Sequence, residues 1–199
     1  MKIGIFGGSF NPPHNMHKLI ALRLIELNLV DKVIFVPTGN RYDKKDLVDA
    51  KYRYDMVKII CNYHKRLEVS DFEIRNNLVF TYQTLDYFRE KYKNDEILFI
   101  IGADNLSELY TWNRYEYLLK SYKFLVIKRQ GENIDNLLKK YNYNSNIIIT
   151  NIDMNDISST KIREMIKNQD KEVCNYIDKN VFMYILINRL YLKPASYLL

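Results

Sequence analysis

Gly7-Gly8-Ser9-Phe10-Asn11-Pro12-Pro13-His14-Asn15-Met16-His17 is the stretch whose reading decides the fold. An apolar run, Ile3, Ile5 and Phe6, stops at the two glycines; two prolines follow, then two histidines, then a helical pattern. Lys2 to Phe6 reads as a buried strand. Met16 to Leu29, with Leu19, Ile20, Leu22, Leu24, Ile25 and Leu27, reads as a helix with one broad apolar face. Strand, glycine turn and helix start together are how a parallel α/β protein builds an anion pocket. Glycine lets the backbone come close to a ligand, and amides at the next helix start add donors.

His14 and His17 are two of only three histidines in the chain. Three residues apart, at a helix start, their rings can project to one side and donate to phosphate oxygens. Two other readings stay open: a zinc pair, for which no cysteine or third histidine lies nearby, and a pair of capping side chains.

Working outward, the chain alternates strand and helix. Strands are expected at Lys32 to Pro37, Leu67 to Ile74, Glu96 to Ile101, Lys123 to Lys128 and Asn146 to Thr150. Helices are expected at Ala50 to His64 (Tyr54, Val57, Ile60 and Cys61 inward), Phe80 to Tyr92, short pieces from Asn105 and Arg114, and Ile134 to Tyr141. Arg41 to Asp49 is polar and reads as a loop. From Ser158 onward the pattern is helical: Ser158 to Lys167, Lys171 to Ile177 and Asn180 to Arg189. Such alternation specifies an α/β fold: a Rossmann-like, doubly wound, mostly parallel sheet with helices on both faces. The expected organisation is a single domain, a core over 1–157 with a helical C-terminal subdomain over 158–199. Ligands in this fold sit beyond the carboxyl ends of the strands. Gly7, Gly39 and Gly102 each close a strand, so their loops should crowd one edge.

Composition narrows the classes. The chain has 199 residues, 47% of them hydrophobic, and a net charge of +6. No apolar run reaches the roughly 20 residues a membrane span needs, and Gly7 and Gly8 interrupt any leader-like segment at once. The expectation is a cytoplasmic protein without membrane attachment. Cys61 and Cys174 lack metal-type spacing and read as buried free thiols. The basic residues are scattered, with no Lys/Arg-rich cluster, so a small anionic substrate is favoured over nucleic acid. The seventeen tyrosines read as composition bias, not as a stacking platform for single strands.

The opening string resembles the GG(S/T)F(D/N)PxHxGH signature of the nucleotidyltransferases related to class I aminoacyl-tRNA synthetases. Ile157-Ser158-Ser159-Thr160-Lys161-Ile162-Arg163 is similar to their ISSTxIR motif. Three further blocks resemble bacterial nicotinate mononucleotide adenylyltransferases. They are Phe80 to Leu85 (YTxxTL), Ile101 to Leu106 followed by Trp112 (IGxDxL…W), and Tyr176 to Val181 with Tyr184-Ile185 and Leu190-Tyr191 (YxPxxVxxYIxxxxLY).

The resemblance implies transfer of AMP from ATP to nicotinate mononucleotide, giving deamido-NAD and pyrophosphate. The substrate phosphate attacks the α-phosphorus in line, without a covalent enzyme intermediate. Catalysis is then positioning plus electrostatic stabilisation. Mg²⁺ would ride on the ATP phosphates, and no dedicated protein ligand is expected. His14, His17 and Arg163 are the implied catalytic residues. Gly7, Gly8, Ser9, Phe10, Gly102, Asp104, Ser159 and Thr160 are implied in ATP binding. The pyridine mononucleotide falls to Asn40, Lys44, Trp112 and the amides near Thr84 and Leu85. Residue chemistry alone leaves Asp104 and Ser158 to Thr160 open as plain helix caps and Trp112 as core packing. The chain departs from the pattern at Met16, where the family's glycine lies against the adenine nucleotide. It also carries Asn11 for the commoner aspartate, lacks the PPHK string of the substrate loop, and has Lys179 for a proline. A related transferase using nicotinamide mononucleotide or phosphopantetheine, or a non-catalytic nucleotide-binding module, are the alternatives; a monomer and a homo-oligomer are both compatible.

Overall fold

The computed structural model describes residues 1–41, 46–76, 79–129, 133–154 and 157–192. Among these, six parallel strands form one sheet: β1 (Lys2–Gly8), β2 (Lys32–Pro37), β3 (Leu67–Val69), β4 (Glu96–Gly102), β5 (Lys123–Arg129) and β6 (Ile147–Met154). Their order is β3-β2-β1-β4-β5-β6. The chain winds outward from β1 to β3, then returns and winds the other way from β4. That reversal leaves a crevice between β1 and β4, the natural ligand site of such a sheet. Register holds Phe6 opposite Ile100 and Gly8 opposite Pro37, so the strands end nearly level at the crevice.

Strand side chains alternate between two cores. Phe6, Val33, Phe35, Leu98, Ile100, Leu125 and Ile127 point to one face. Ile3, Ile5, Ile34, Val36, Phe99, Ile101, Phe124 and Val126 point to the other. Buried on both sides, these strands read as continuous apolar runs, as parallel strands do. The first face is covered by α1 (Asn15–Glu26), α2 (Ala50–Cys61) and the C-terminal helices; the second by α4 (Thr81–Lys91), α5 (Ala103–Glu108) and α6 (Tyr115–Ser121). A seventh helix, α7 (Ile134–Lys140), precedes β6.

The C-terminal segment comprises α8 (Ser159–Lys167), a 3₁₀ turn (Lys171–Asn175) and α9 (Lys179–Ile187). Its apolar residues, Ile162, Ile166, Val173, Ile177, Val181 and Ile185, join the core of the first sheet face. Lys18 of α1 pairs with Asp178 at 3.0 Å, and the Tyr184 hydroxyl donates to Asp55 of α2 at 2.8 Å.

Three expectations change. The strand expected over Leu67 to Ile74 stops at Val69, and Phe72–Arg75 is a helical turn, α3. The Ser70-Asp71 pair ends the strand: the Ser70 Oγ accepts the Phe72 amide at 3.3 Å, a local alternative to the sheet ladder. On α2 the inward set is Ala50, Arg53, Met56, Val57, Ile60 and Cys61, with Tyr54 only partly buried. Cys61 is buried as expected, whereas Cys174 is exposed on the 3₁₀ turn. No helix among the described residues is long and apolar enough to cross a membrane.

Candidate active site

A cleft of about 660 Å³ opens at the β1–β4 crevice. Gly7, Gly8, Ser9, Phe10, His14 and His17 form one wall, Ser159 and Thr160 a second, and Gly102 and Asp104 the floor beside β4. Thr84 and Trp112 line the far end, with Thr81 and Glu73.

The glycine loop leaves β1 through Phe10, which takes the left-handed φ of 46°. The expected tight turn therefore falls on Phe10, not on a glycine. Gly8 serves close approach instead: a Cβ there would lie 3.1 Å from the Phe10 ring. Phe10 is 2% exposed and packs edge-on against Phe6, Phe35 and His17. The aromatic cluster thus fixes the loop and the second imidazole together.

His14 caps α1 and is buried; its backbone N–H donates to His17 Nδ1 at 3.1 Å. With that nitrogen accepting, the proton of neutral His17 lies on Nε2. The two rings lie with centroids 3.8 Å apart, tilted by 35°. Two of the first-turn amides are committed elsewhere: Asn15 N–H donates to the Tyr176 carbonyl at 2.9 Å and His17 N–H to the His14 carbonyl at 3.0 Å.

The opposite wall is tied to the loop. Ser158 caps α8, its Oγ accepting the Lys161 amide at 3.2 Å. Ser159 Oγ donates to the Pro12 carbonyl at 2.9 Å. Arg163 donates through Nη1 to the Asn11 carbonyl at 2.9 Å and through Nη2 to Thr160 Oγ1 at 3.4 Å, which sets it behind the wall. It does not line the cleft.

Leu85 is likewise outside the cleft: it is fully buried in the second core. The Thr84 amide donates to the Phe80 carbonyl at 3.3 Å, as a second-turn amide must. The open amides of α4 are those of its first turn, Thr81 and Tyr82. Asn40 is absent from the cleft as well. Its Nδ2 donates to Asp49 at 2.8 Å and its Oδ1 accepts the Ala50 amide at 2.6 Å, so it supports the start of α2. Lys44 lies outside the described residues. Trp112 is half-buried, edge-on to Phe99 at 6.1 Å, with a flank on the cleft. Met16 turns away from the cleft; it is 7% exposed and borders a separate hollow with Asn175 and Tyr176. The bulk added at the family's glycine position thus lies outside the cleft.

Four residues of the site were missed from sequence. Arg53 is fully buried and gives its guanidinium to the carbonyls of Val48, Ser9, Thr38 and Gly39 and to Thr38 Oγ1. It pins the loops after β1 and β2 to the start of α2. Burial lowers it to about 10, so it remains charged at neutral pH. The signal was a lone arginine on the apolar stripe of α2. Asn11, fully buried, donates to the Asp46 carbonyl at 2.8 Å and accepts from the Val48 amide at 3.2 Å and the Tyr191 hydroxyl at 2.8 Å. Tyr191 had been noted only as a motif residue. Glu73 accepts from Thr84 Oγ1 at 2.7 Å, and burial pushes its carboxyl up to about 7. Its signal was the Ser-Asp cap ahead of it.

No three His, Cys, Asp or Glu side chains converge to hold a metal among the described residues. The imidazoles and the Thr160 hydroxyl form a donor set suited to phosphates.

A parallel sheet in this order, with imidazoles and a hydroxyl-bearing helix start lining its crevice, is the frame of a nucleotide-binding α/β protein. Residues 5–165 match the cytidylyltransferase-like family. A probable nicotinate-nucleotide adenylyltransferase of Clostridium novyi is 44% identical over 85% of this chain and 88% of its own length. One of Caldicellulosiruptor bescii is 38% identical over 93% and 96%. The chain belongs to the nicotinate-nucleotide adenylyltransferase branch of the cytidylyltransferase-like family. The Plasmodium falciparum nicotinic acid mononucleotide adenylyltransferase complexed with NaAD superposes with a TM-score of 0.81 at 24% identity, covering 96% of this chain and 97% of its own. At that identity the likeness shows the fold.

Proposed function

We propose that this protein joins ATP and nicotinate mononucleotide to deamido-NAD and pyrophosphate. The observation that carries this is the cleft itself: the two imidazoles, the Thr160 hydroxyl, Trp112 and the start of α4 line one continuous space. The family membership and its relatives' names support the same reaction.

His14 and His17 face the ATP phosphates, with His17 donating from Nε2 to charge that builds up in transfer. Thr160 contributes its hydroxyl at the α8 start, while the Ser159 hydroxyl, given to the Pro12 carbonyl, ties that wall to the loop. Arg163 holds the Asn11–Pro12 segment in place and adds positive charge behind it. Asp104 serves the ribose. Trp112 stacks on the pyridine ring, and the first-turn amides of α4 receive its carboxylate. Mg²⁺ arriving with the nucleotide would be held mainly by the phosphates and water and would offset part of the triphosphate charge. The protein is a cytoplasmic enzyme of small-molecule substrates in this reading.

The test is pyrophosphate release with ATP and a panel of mononucleotides. Turnover with nicotinate mononucleotide should greatly exceed that with nicotinamide mononucleotide or phosphopantetheine. Preference for either of the others reassigns the second substrate, and ATP binding without release under any of them makes the protein a binding module.

A further inference from the structure

Glu73 is a carboxyl group in the wall of a cleft whose proposed substrates are anions. α3 turns it inward, where its Oε1 accepts from Thr84 Oγ1 at 2.7 Å. Thr84 is 2% exposed and lies one turn into α4, on the same face as Thr81. Glu73 therefore stands about one helical turn from the open α4 amides that receive the pyridine carboxylate. The charged group facing it from α2 is Arg53, which already gives its donors to Val48, Ser9, Thr38 and Gly39. From α4 the Thr84 hydroxyl faces it. Burial raises the Glu73 carboxyl to about 7, while the Thr84 hydroxyl and the Arg53 charge act to lower it.

We propose that Glu73 sets the choice between acid and amide mononucleotides by proton linkage: protonated, it accepts a pyridine carboxylate nearby, and ionised, it opposes one. The acid substrate then binds with uptake of a proton by Glu73, and the amide binds without it. This rests on the reading of the second substrate given above.

The experiment is the ratio of KM for nicotinate mononucleotide to KM for nicotinamide mononucleotide across pH. The ribose phosphate is common to both, so its own titration cancels. The ratio should rise about tenfold between about pH 6 and pH 8.5, the effect of one like charge at this range. Glu73→Gln should make the ratio flat. Thr84→Val removes a donor that favours the ionised form, so it should move the rise to higher pH; a purely structural role for Thr84 would leave the midpoint unmoved. A flat wild-type ratio, or a rise that survives Glu73→Gln, overturns the proposal. If Glu73→Gln fails to fold, the Thr84→Val midpoint decides. Calorimetry of nicotinate and of nicotinamide mononucleotide binding in buffers of different ionisation heat gives, as the difference between the two, the proton taken up by Glu73 without turnover. Proton uptake by an inactive protein upholds the linkage and refutes the reaction. An active enzyme without uptake refutes the linkage alone.

Discussion

His17 is held by contacts that prepare it before any ligand arrives. The His14 amide fixes its tautomer at 3.1 Å, and Phe6 and Phe10 fix its ring plane. A preorganised donor of this kind is worth about 10²- to 10³-fold in rate. His17→Ala should therefore lower kcat by that factor while circular dichroism and the unfolding midpoint stay close to wild type. A near-normal rate would remove His17 from the chemistry. Glu73 makes a prediction about stability. Its folded value of about 7 lies above the ordinary value of 4.5. Stability from the neutral carboxyl is fully present below about pH 4.5 and is lost as pH rises through about 7. Glu73→Gln, which keeps an acceptor for Thr84, should thus be more stable than wild type at pH 8 by about 2–3 kcal/mol. The advantage should vanish near pH 4.5, as urea unfolding at the two pH values will show.

At the scale of elements, the loops of the cleft are held mainly by side chains that come from elsewhere. Arg53 on α2 bonds to both the β1 and the β2 loop, and a guanidinium's fixed fork is what lets one side chain serve several carbonyls. Lysine keeps the charge but not the fork. Arg53→Lys should leave carbonyls of Ser9, Thr38 or Gly39 without donors, cost about 2–4 kcal/mol in unfolding free energy, and raise the KM for both substrates together. An unchanged KM for either would show that the loops hold without Arg53. These are also the contacts that a sequence hides. The strands were legible because burial on both faces makes them apolar throughout, and the opening motif because its chemistry is contained in a few consecutive residues. Arg53, Glu73 and Tyr191 take their meaning from partners distant in sequence. A strand-like alternation over Leu67 to Ile74 concealed α3, because the Ser70 hydroxyl, accepting the Phe72 amide, favours a turn there over the sheet ladder. Asn40 and Leu85, placed in the site by motif position, turn out to be a helix support and a core side chain.

At the scale of the whole molecule, the winding order puts the first strand's loop and the fourth strand's loop side by side, and the C-terminal helices close the arrangement. Tyr191 reaches Asn11, Arg163 reaches the same residue, Tyr176 caps α1 and Ser159 reaches Pro12. The last part of the chain thereby braces the first. That is why two motifs at opposite ends of the sequence form one cleft, and why Met16, facing the C-terminal segment, leaves that cleft open. Direct transfer of AMP from ATP to nicotinate mononucleotide in this cleft is read out by incubation with ATP labelled at the α-phosphorus. Label should appear in deamido-NAD, equimolar with released pyrophosphate, and none on the denatured protein; label retained on the protein, or pyrophosphate without labelled deamido-NAD, would exclude direct transfer.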